Sequence, residues 1–233
     1  MNREIDFERR LAVLKEAATD LRYLLNRGYN KPSALKLVGD RYQLNKIERS
    51  ILFRSVYSQR ECMIIKSKRV EPGELRENEI WIDGFNVLNT VEAILRGECV
   101  ILCDDGVIRD FSEIHSKYKI TELTEAALSA VADFLKTAEV RQTVILFETQ
   151  ISKSGELAAL TRSLMTKSGI KCTAKTTKTV DSELIKSGKI IASSDSALLL
   201  KCRKFIDLPA HLNIINKAKI LTLDNTPDKK ITN

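Results

Sequence analysis

The sequence predicts an α/β protein in which a mostly parallel sheet flanked by helices follows an N-terminal all-helical module. In residues 7–56 the apolar side chains recur at intervals of three and four, the period of a helix face. From residue 80 onward, short β-branched runs alternate with helical stretches, the pattern of a parallel sheet. Between them, residues 70–79 hold four Glu and a Pro-Gly pair, which predicts a linker. We therefore expect a helical module at 1–69 and an α/β domain at 80–233.

Three amphipathic helices are predicted in the first module. The first carries its apolar stripe from Phe7 to Leu25 and ends at Gly28. The second begins near Pro32, which suits a first helical turn, and stops at Gly39. The third covers about 47–56 and carries arginines off its apolar stripe. A helix, a glycine turn and an arginine-bearing helix together resemble a helix-turn-helix, although the same outline occurs in many folds.

Strands and helices alternate in the second module. Strands are predicted from β-branched runs and helices from apolar periodicity and Ala/Leu content. The predicted strands are 80–82, 99–103, 143–147, 170–175, 190–192 and 205–208. The predicted helices are 87–95, 122–138, 155–166, 181–186 and 196–202.

The charge of the chain permits a nucleic-acid partner without requiring one. The 233 residues hold 38 Lys and Arg against 31 Asp and Glu, a net charge of +7, and 43% of them are hydrophobic, which excludes a disordered chain. Within residues 9–69 there are 15 basic residues against 5 acidic ones, and within 153–204 there are 11 against 4. We take Arg41, Lys46, Arg49 and Arg54 as candidate nucleic-acid contacts, with a solvated basic face as the alternative.

Other partners and compartments are disfavoured. No apolar run approaches the ~20 residues of a membrane span, and the charged N-terminal residues contain no apolar segment of a secretory signal. Five cysteines without a CxxC pair predict reduced thiols and no zinc knuckle. We expect a cytoplasmic protein without a membrane partner; oligomerisation stays open.

Carboxylates follow three predicted strands. Asp83 ends the first, Asp104 and Asp105 follow the second, and Asp195 follows the strand at 190–192. Asp181 begins the helix just before that last strand. Each Asp alone suits a helix cap, but several at the carboxyl edge of one sheet repel one another and favour a hard cation, Mg²⁺ or Mn²⁺.

Two segments carry a resemblance to a known family. Residues 80–88, IWIDGFNVL, resemble the first-strand motif of PIN-like nucleases of the NYN type, and residues 191–198, IASSDSAL, resemble their late motif. Asp181 stands where that family places a further acid. The resemblance covers about 80–208 and implies a PIN-like fold and a metal-dependent nuclease acting mostly on RNA. A basic helical module before such a domain also resembles an uncharacterised prokaryotic protein family.

The resemblance implies a catalytic and metal-binding set of four carboxylates. Asp83, Asp181 and Asp195 match its motifs, and the fourth acid has no unique match. Asp104 and Asp105 are the best candidates by their position after a strand, with Asp110, Glu122 and Glu125 as rivals, and we place Asp104 in the set. Asn86, Asp105 and Ser193 are expected to support the carboxylates, and His115 is interpreted as structural.

Four functions compete at this point. The first is a metal-dependent ribonuclease that hydrolyses phosphodiester bonds by in-line attack of activated water. The second is a non-catalytic RNA- or DNA-binding protein with a degenerate PIN-like domain. The third is a helix-turn-helix DNA-binding regulator. The fourth, a phosphatase-like or Toprim-like enzyme, is disfavoured because phosphatases of this class place Asp-x-Asp where this chain has Asp83-Gly84-Phe85-Asn86.

Overall fold

The N-terminal region is helical in a computed structural model that describes residues 2–111 and 118–224, with side chains from residue 10 onward. Its helices are α1 (Asn2–Asn26), α2 (Lys31–Arg41), α3 (Lys46–Ser55) and α4 (Gln59–Lys66). The first three match the predicted helices, whereas α4 was not predicted.

Side-chain caps determine where α3 and α4 begin. At α3 the Asn45 side chain accepts the Glu48 N–H, and the Glu48 carboxylate accepts the Asn45 N–H in return. Ser58 and Glu61 form the same reciprocal pair at α4. Each pair satisfies two backbone donors that a helix start leaves without partners, so both short helices begin at defined residues.

The main sheet has five parallel strands in the order β5-β4-β1-β6-β7. They are β1 (Glu79–Asp83), β4 (Gln142–Glu148), β5 (Cys172–Thr177), β6 (Ile190–Ala192) and β7 (Lys204–Ile206). The central position of β1 places Asp83 between the ends of β4 and β6.

Helices cover both faces of this sheet, which confirms the predicted α/β class with a mostly parallel sheet. They are α5 (Gly84–Leu95), α6 (Glu122–Thr137), α7 (Ser154–Lys167), α8 (Val180–Ser187) and α9 (Ser196–Leu199). Ile80 and Ile82 pack with α5, α6 and α7 on one face, whereas Trp81 and Ile191 pack with α8 and α9 on the other. Short 3₁₀ turns lie at Pro72–Leu75, Leu208–His211 and Asn213–Lys217.

One predicted strand lies outside the main sheet. Strand β2 (Cys99–Leu102) pairs with β3 (Ile108–Arg109) and β8 (Lys219–Thr222) in a separate three-stranded sheet. The expectation that this strand ends at the same sheet edge as β1 is therefore wrong. Its hydrogen-bonding partners, β3 and β8, were not predicted.

The N-terminal helices share an apolar core with the second sheet. Leu14, Leu21 and Leu52 are fully buried in a cluster that also contains Ile101 and Leu223. The five cysteines are free thiols. Over the described ranges, the helices are too short or too polar to cross a bilayer.

Candidate functional site

The first component of the site is Asp83, at the end of β1. Its Oδ1 accepts the Asn86 N–H at 3.3 Å, so the carboxylate caps α5. The next residue has no space for a side chain, because a Cβ at Gly84 would lie 2.3 Å from Cε1 of Phe147. The Asp-Gly pair thus lets the strand turn into the helix directly beside β4.

The second component is the loop after β6. Ser193 donates its hydroxyl to Oδ2 of Asp83 at 3.2 Å and accepts the Asp195 N–H at 3.1 Å. Asp195 itself caps α9 through the Leu198 N–H at 2.9 Å. The loop therefore places the exposed Asp195 carboxylate beside the end of β1.

Asn86 joins the same two segments. Its side-chain oxygen accepts both the Ser194 N–H at 2.6 Å and the Ser194 hydroxyl at 2.8 Å. This oxygen supports the loop and does not point to a ligand. Asn86 and Ser193 thus both hold Asp83 and the loop together, one through the loop backbone and one through the carboxylate.

Asp83 and Asp195 lie where the strand order of the main sheet changes direction. The chain proceeds from β1 to β4 and β5 on one side, and then returns to β6 and β7 on the other. Open parallel sheets bind ligands outside the carboxyl ends of the two strands at such a point. Here those strands are β1 and β6, which precede Asp83 and Asp195 respectively.

The carboxylates of Asp83, Asp181 and Asp195 influence one another. Burial raises the pKa of Asp83 to about 7, and the charges of Asp181 and Asp195 contribute to the rise against the hydrogen bonds from Asn86 and Ser193. Burial and Asp195 also raise the pKa of Asp181, whereas Lys201 opposes that rise. Three of the four predicted catalytic acids are thus near enough to influence one another electrostatically.

These carboxylates suit a hard cation in their chemistry, because they offer oxygen donors and their mutual repulsion would be relieved by positive charge. However, no three His, Cys, Asp or Glu side chains are arranged as a metal-binding group within 2–111 and 118–224. Both Asp83 oxygens accept hydrogen bonds, and one Asp195 oxygen does. Convergence on one ion would require the exposed Asp181 and Asp195 side chains to rotate.

Asp104 does not contact this group in the described structure. Its carboxylate forms a two-pronged ion pair with Arg22 of α1, with both N···O distances at 2.8 Å, and accepts the Tyr57 N–H at 3.2 Å. Because β2 belongs to the second sheet, its carboxyl end faces the N-terminal helices. The assignment of Asp104 as fourth acid, made from its position after a strand, therefore loses its basis.

Asp105 has a structural partner that the sequence did not suggest. It is fully buried and pairs with Arg109 at 2.9 and 2.6 Å. Arg109 also donates its Nε–H to the Ser194 carbonyl at 2.7 Å. Asp105 therefore supports the site loop indirectly, through a buried arginine.

The remaining rivals lie elsewhere. Asp110 is buried and accepts the Thr90 hydroxyl at 2.9 Å. Glu122 and Glu125 occupy the first turn of α6. His115 lies outside the described residues.

The predicted nucleic-acid contacts differ in their surroundings. Arg41 is exposed and lies 3.6 Å from Asp20, and Lys46 is exposed at the start of α3. Arg49 binds the Leu44 carbonyl and Asp40 and packs over Gly39, so it holds α2 against α3. Arg54 lies 3.7 Å from Asp110, on the side of α3 that faces the α/β region.

Protein-family models match both the N-terminal region and the α/β region of the chain. The model described as "Domain of unknown function (DUF5616)" matches residues 72–211. The chain belongs to this family. A second model, "Protein of unknown function (DUF434)", matches residues 13–68. The match to DUF5616 covers β1 to the turn after β7, and so includes Asp83, Asp181 and Asp195.

The DUF5616 chain also has a curated relative. It is 37% identical over 186 residues to an uncharacterised protein of Methanocaldococcus jannaschii, an alignment that covers 80% of this chain and 88% of the relative. No solved structure matches the chain.

Proposed function

We propose that this protein is a metal-dependent nuclease with a PIN-like domain and that RNA is its substrate. The observation that carries the proposal is the electrostatic proximity of three carboxylates: Asp83 at the end of β1, Asp195 after β6 and Asp181 in the first turn of α8. The strand order, with β1 central, and the motif resemblance at 80–88 and 191–198 support it. The carboxylates would hold Mg²⁺ or Mn²⁺.

Each part of the site has a distinct role under this proposal. A bound divalent cation would supply charge neutralisation and polarise a phosphoryl oxygen. Asp83 is held in place by Ser193 and the Asn86 backbone, whereas the exposed Asp181 and Asp195 side chains adapt to the ligand. Lys201 adds positive charge near the acids, which favours the approach of a phosphate backbone.

The test combines cleavage with metal binding. Labelled RNA is incubated with Mn²⁺ and the wild-type protein, or with Asp83→Asn, Asp181→Asn or Asp195→Asn. Each variant should lose at least about tenfold in rate and in Mn²⁺ affinity by calorimetry. Asp133→Asn, at an exposed site on α6, is the matched control and should behave as wild type. Undiminished cleavage in the three variants would refute the proposal.

A second candidate is a non-catalytic nucleic-acid-binding protein. Both Asp83 oxygens accept hydrogen bonds within the protein, which leaves them less available to a metal ion and so favours this candidate. In that case RNA or DNA binding survives all three substitutions, and neither Mn²⁺ binding nor cleavage occurs with the wild-type protein.

A further inference from the structure

Two aromatic rings and two cations form a column between α2, α3 and the second sheet. The Lys31 ammonium lies 3.6 Å from the centroid of the Tyr57 ring and 5.1 Å from that of the Phe53 ring. The Arg109 guanidinium lies 5.2 Å from the same Tyr57 ring. We call these four residues the Phe53 column.

The column connects solvent with the candidate site. Phe53 is 47% exposed, whereas Tyr57 is 5% exposed. The inner end reaches the site loop, because Arg109 donates to the Ser194 carbonyl and the Tyr57 hydroxyl lies beside Ser196. The column therefore extends from the exposed Phe53 ring to the loop that carries Asp195.

Lys31 is a half-buried cation that lies against aromatic rings. The negative charges of Glu61 and Asp105 act on it from a distance, and within the described part of the chain no carboxylate forms an ion pair with its ammonium group. Burial lowers its pKa to about 8, with Arg109 contributing and Glu61 opposing. A partly desolvated ammonium in this setting favours an anionic ligand, and it remains mostly protonated near neutral pH.

An exposed aromatic ring beside such a cation matches the chemistry of single-stranded nucleic acids. Base stacking on aromatic rings and phosphate contacts to lysine are the two terms that drive their binding. Within a duplex the bases stack on one another, so only its terminal base pairs are open to stacking on Phe53. The basic excess of residues 9–69 supplies the charge complementarity.

We propose that Phe53 and Lys31 form the entry subsite for a single-stranded polynucleotide, with one base stacked on Phe53 and a phosphate on Lys31. This inference rests on the proposed function, since it directs the strand towards Asp195. RNA and DNA share the required chemistry, so both are tested.

The experiment measures binding by the full chain in EDTA, where cleavage does not interfere. The probes are fluorescently labelled single-stranded RNA, single-stranded DNA and a blunt duplex, followed by anisotropy. Phe53→Ala should weaken single-strand binding about tenfold, and Phe53→Trp should restore it. Ile47→Ala, at another exposed apolar residue of α3, is the matched control and should bind as wild type.

Lys31→Gln gives a readout that a merely structural role would not change. Loss of one phosphate contact should reduce the slope of log affinity against log salt by about 0.7 for a single strand. Equal affinity for single-stranded RNA and DNA would show that the subsite recognises the base and the phosphate. A preference for RNA would show a further contact to the ribose hydroxyl. Both outcomes support the subsite. Single-strand binding unaffected by Phe53→Ala, or duplex binding as tight as single-strand binding, would overturn it.

Failure of this inference differs from failure of the nuclease proposal. Phe53-dependent binding without any cleavage retains the subsite and rejects the nuclease. Cleavage that depends on Asp83 but is indifferent to Phe53→Ala and Lys31→Gln retains the nuclease and rejects the subsite.

Discussion

The buried ion pair between Asp105 and Arg109 provides a quantitative test of how the site loop is held. Both side chains are at most 3% exposed, and the two N···O contacts measure 2.9 and 2.6 Å. Asp105→Asn or Arg109→Met leaves a buried charge without its partner. We expect either change to lower the free energy of unfolding by about 3–5 kcal/mol.

The double variant, Asp105→Asn with Arg109→Met, should cost less than either single change. It removes both charges, and the amide oxygen of the substituted side chain can still accept the Val107 N–H that Asp105 now accepts at 3.1 Å. The remaining cost is the unpaired Ser194 carbonyl, about 1–3 kcal/mol. The two positions should therefore be strongly non-additive.

Urea denaturation followed by circular dichroism measures these differences. The matched control is Glu139→Gln, which breaks an exposed ion pair with Arg76 at 3.1 Å and should change stability by less than about 1 kcal/mol. If the single variants cost no more than this control, or if their effects simply add, the electrostatic account of the pair is refuted.

Three further predictions follow from other contacts. Folding raises the pKa of Asp83 from 3.8 to about 7. The protonated carboxyl therefore stabilises the folded protein fully below pH 3.8, and this stabilisation is lost as the pH rises through 7. At about 1.4 kcal/mol per pKa unit, the loss amounts to roughly 4 kcal/mol. Denaturation across this range should show the decline in wild type and a smaller one in Asp83→Asn; parallel curves would contradict it. Gly84→Ala should cost about 1–3 kcal/mol through its clash with Phe147, and Phe147→Leu should recover part of that loss in urea titrations. Arg22→Met should cost about 2 kcal/mol by removing the charged hydrogen bonds to Asp104, and unchanged thermal and urea midpoints would exclude this role.

Local sequence patterns were sufficient for most of the fold. The strands of the main sheet and the large helices are recognisable from β-branched runs and apolar periodicity, and Asp83 and Asp195 follow directly from strand ends. The two-residue β3 is too short to be recognised, and β8 lies beyond the last strand that was predicted from the sequence. The sequence also did not show that β2 lies outside the main sheet, because this depends on its pairing with β8, which begins at residue 219.

Long-range side-chain contacts account for what was missed at the site. Asp104 was misplaced because its partner, Arg22, lies 82 residues earlier in the chain. Arg109 could have been suspected, since a buried arginine needs a nearby acid and Asp105 lies four residues before it. Lys31 and Phe53 gave no comparable signal, because their contact arises only when α2 packs on α3.

The apolar core shared by α1, α3 and the second sheet has a consequence for how the protein forms. Ile101 and Leu223 pack in the same core as Leu14 and Leu52. The Leu223 carbonyl also accepts a hydrogen bond from Arg22. Most of this core comes from the helices themselves, and the second sheet region adds Ile101, Cys103 and Leu223, so the core is complete only once both regions have been synthesised. Despite matching two separate family models, the two regions should melt in one calorimetric transition, as a single cooperative unit.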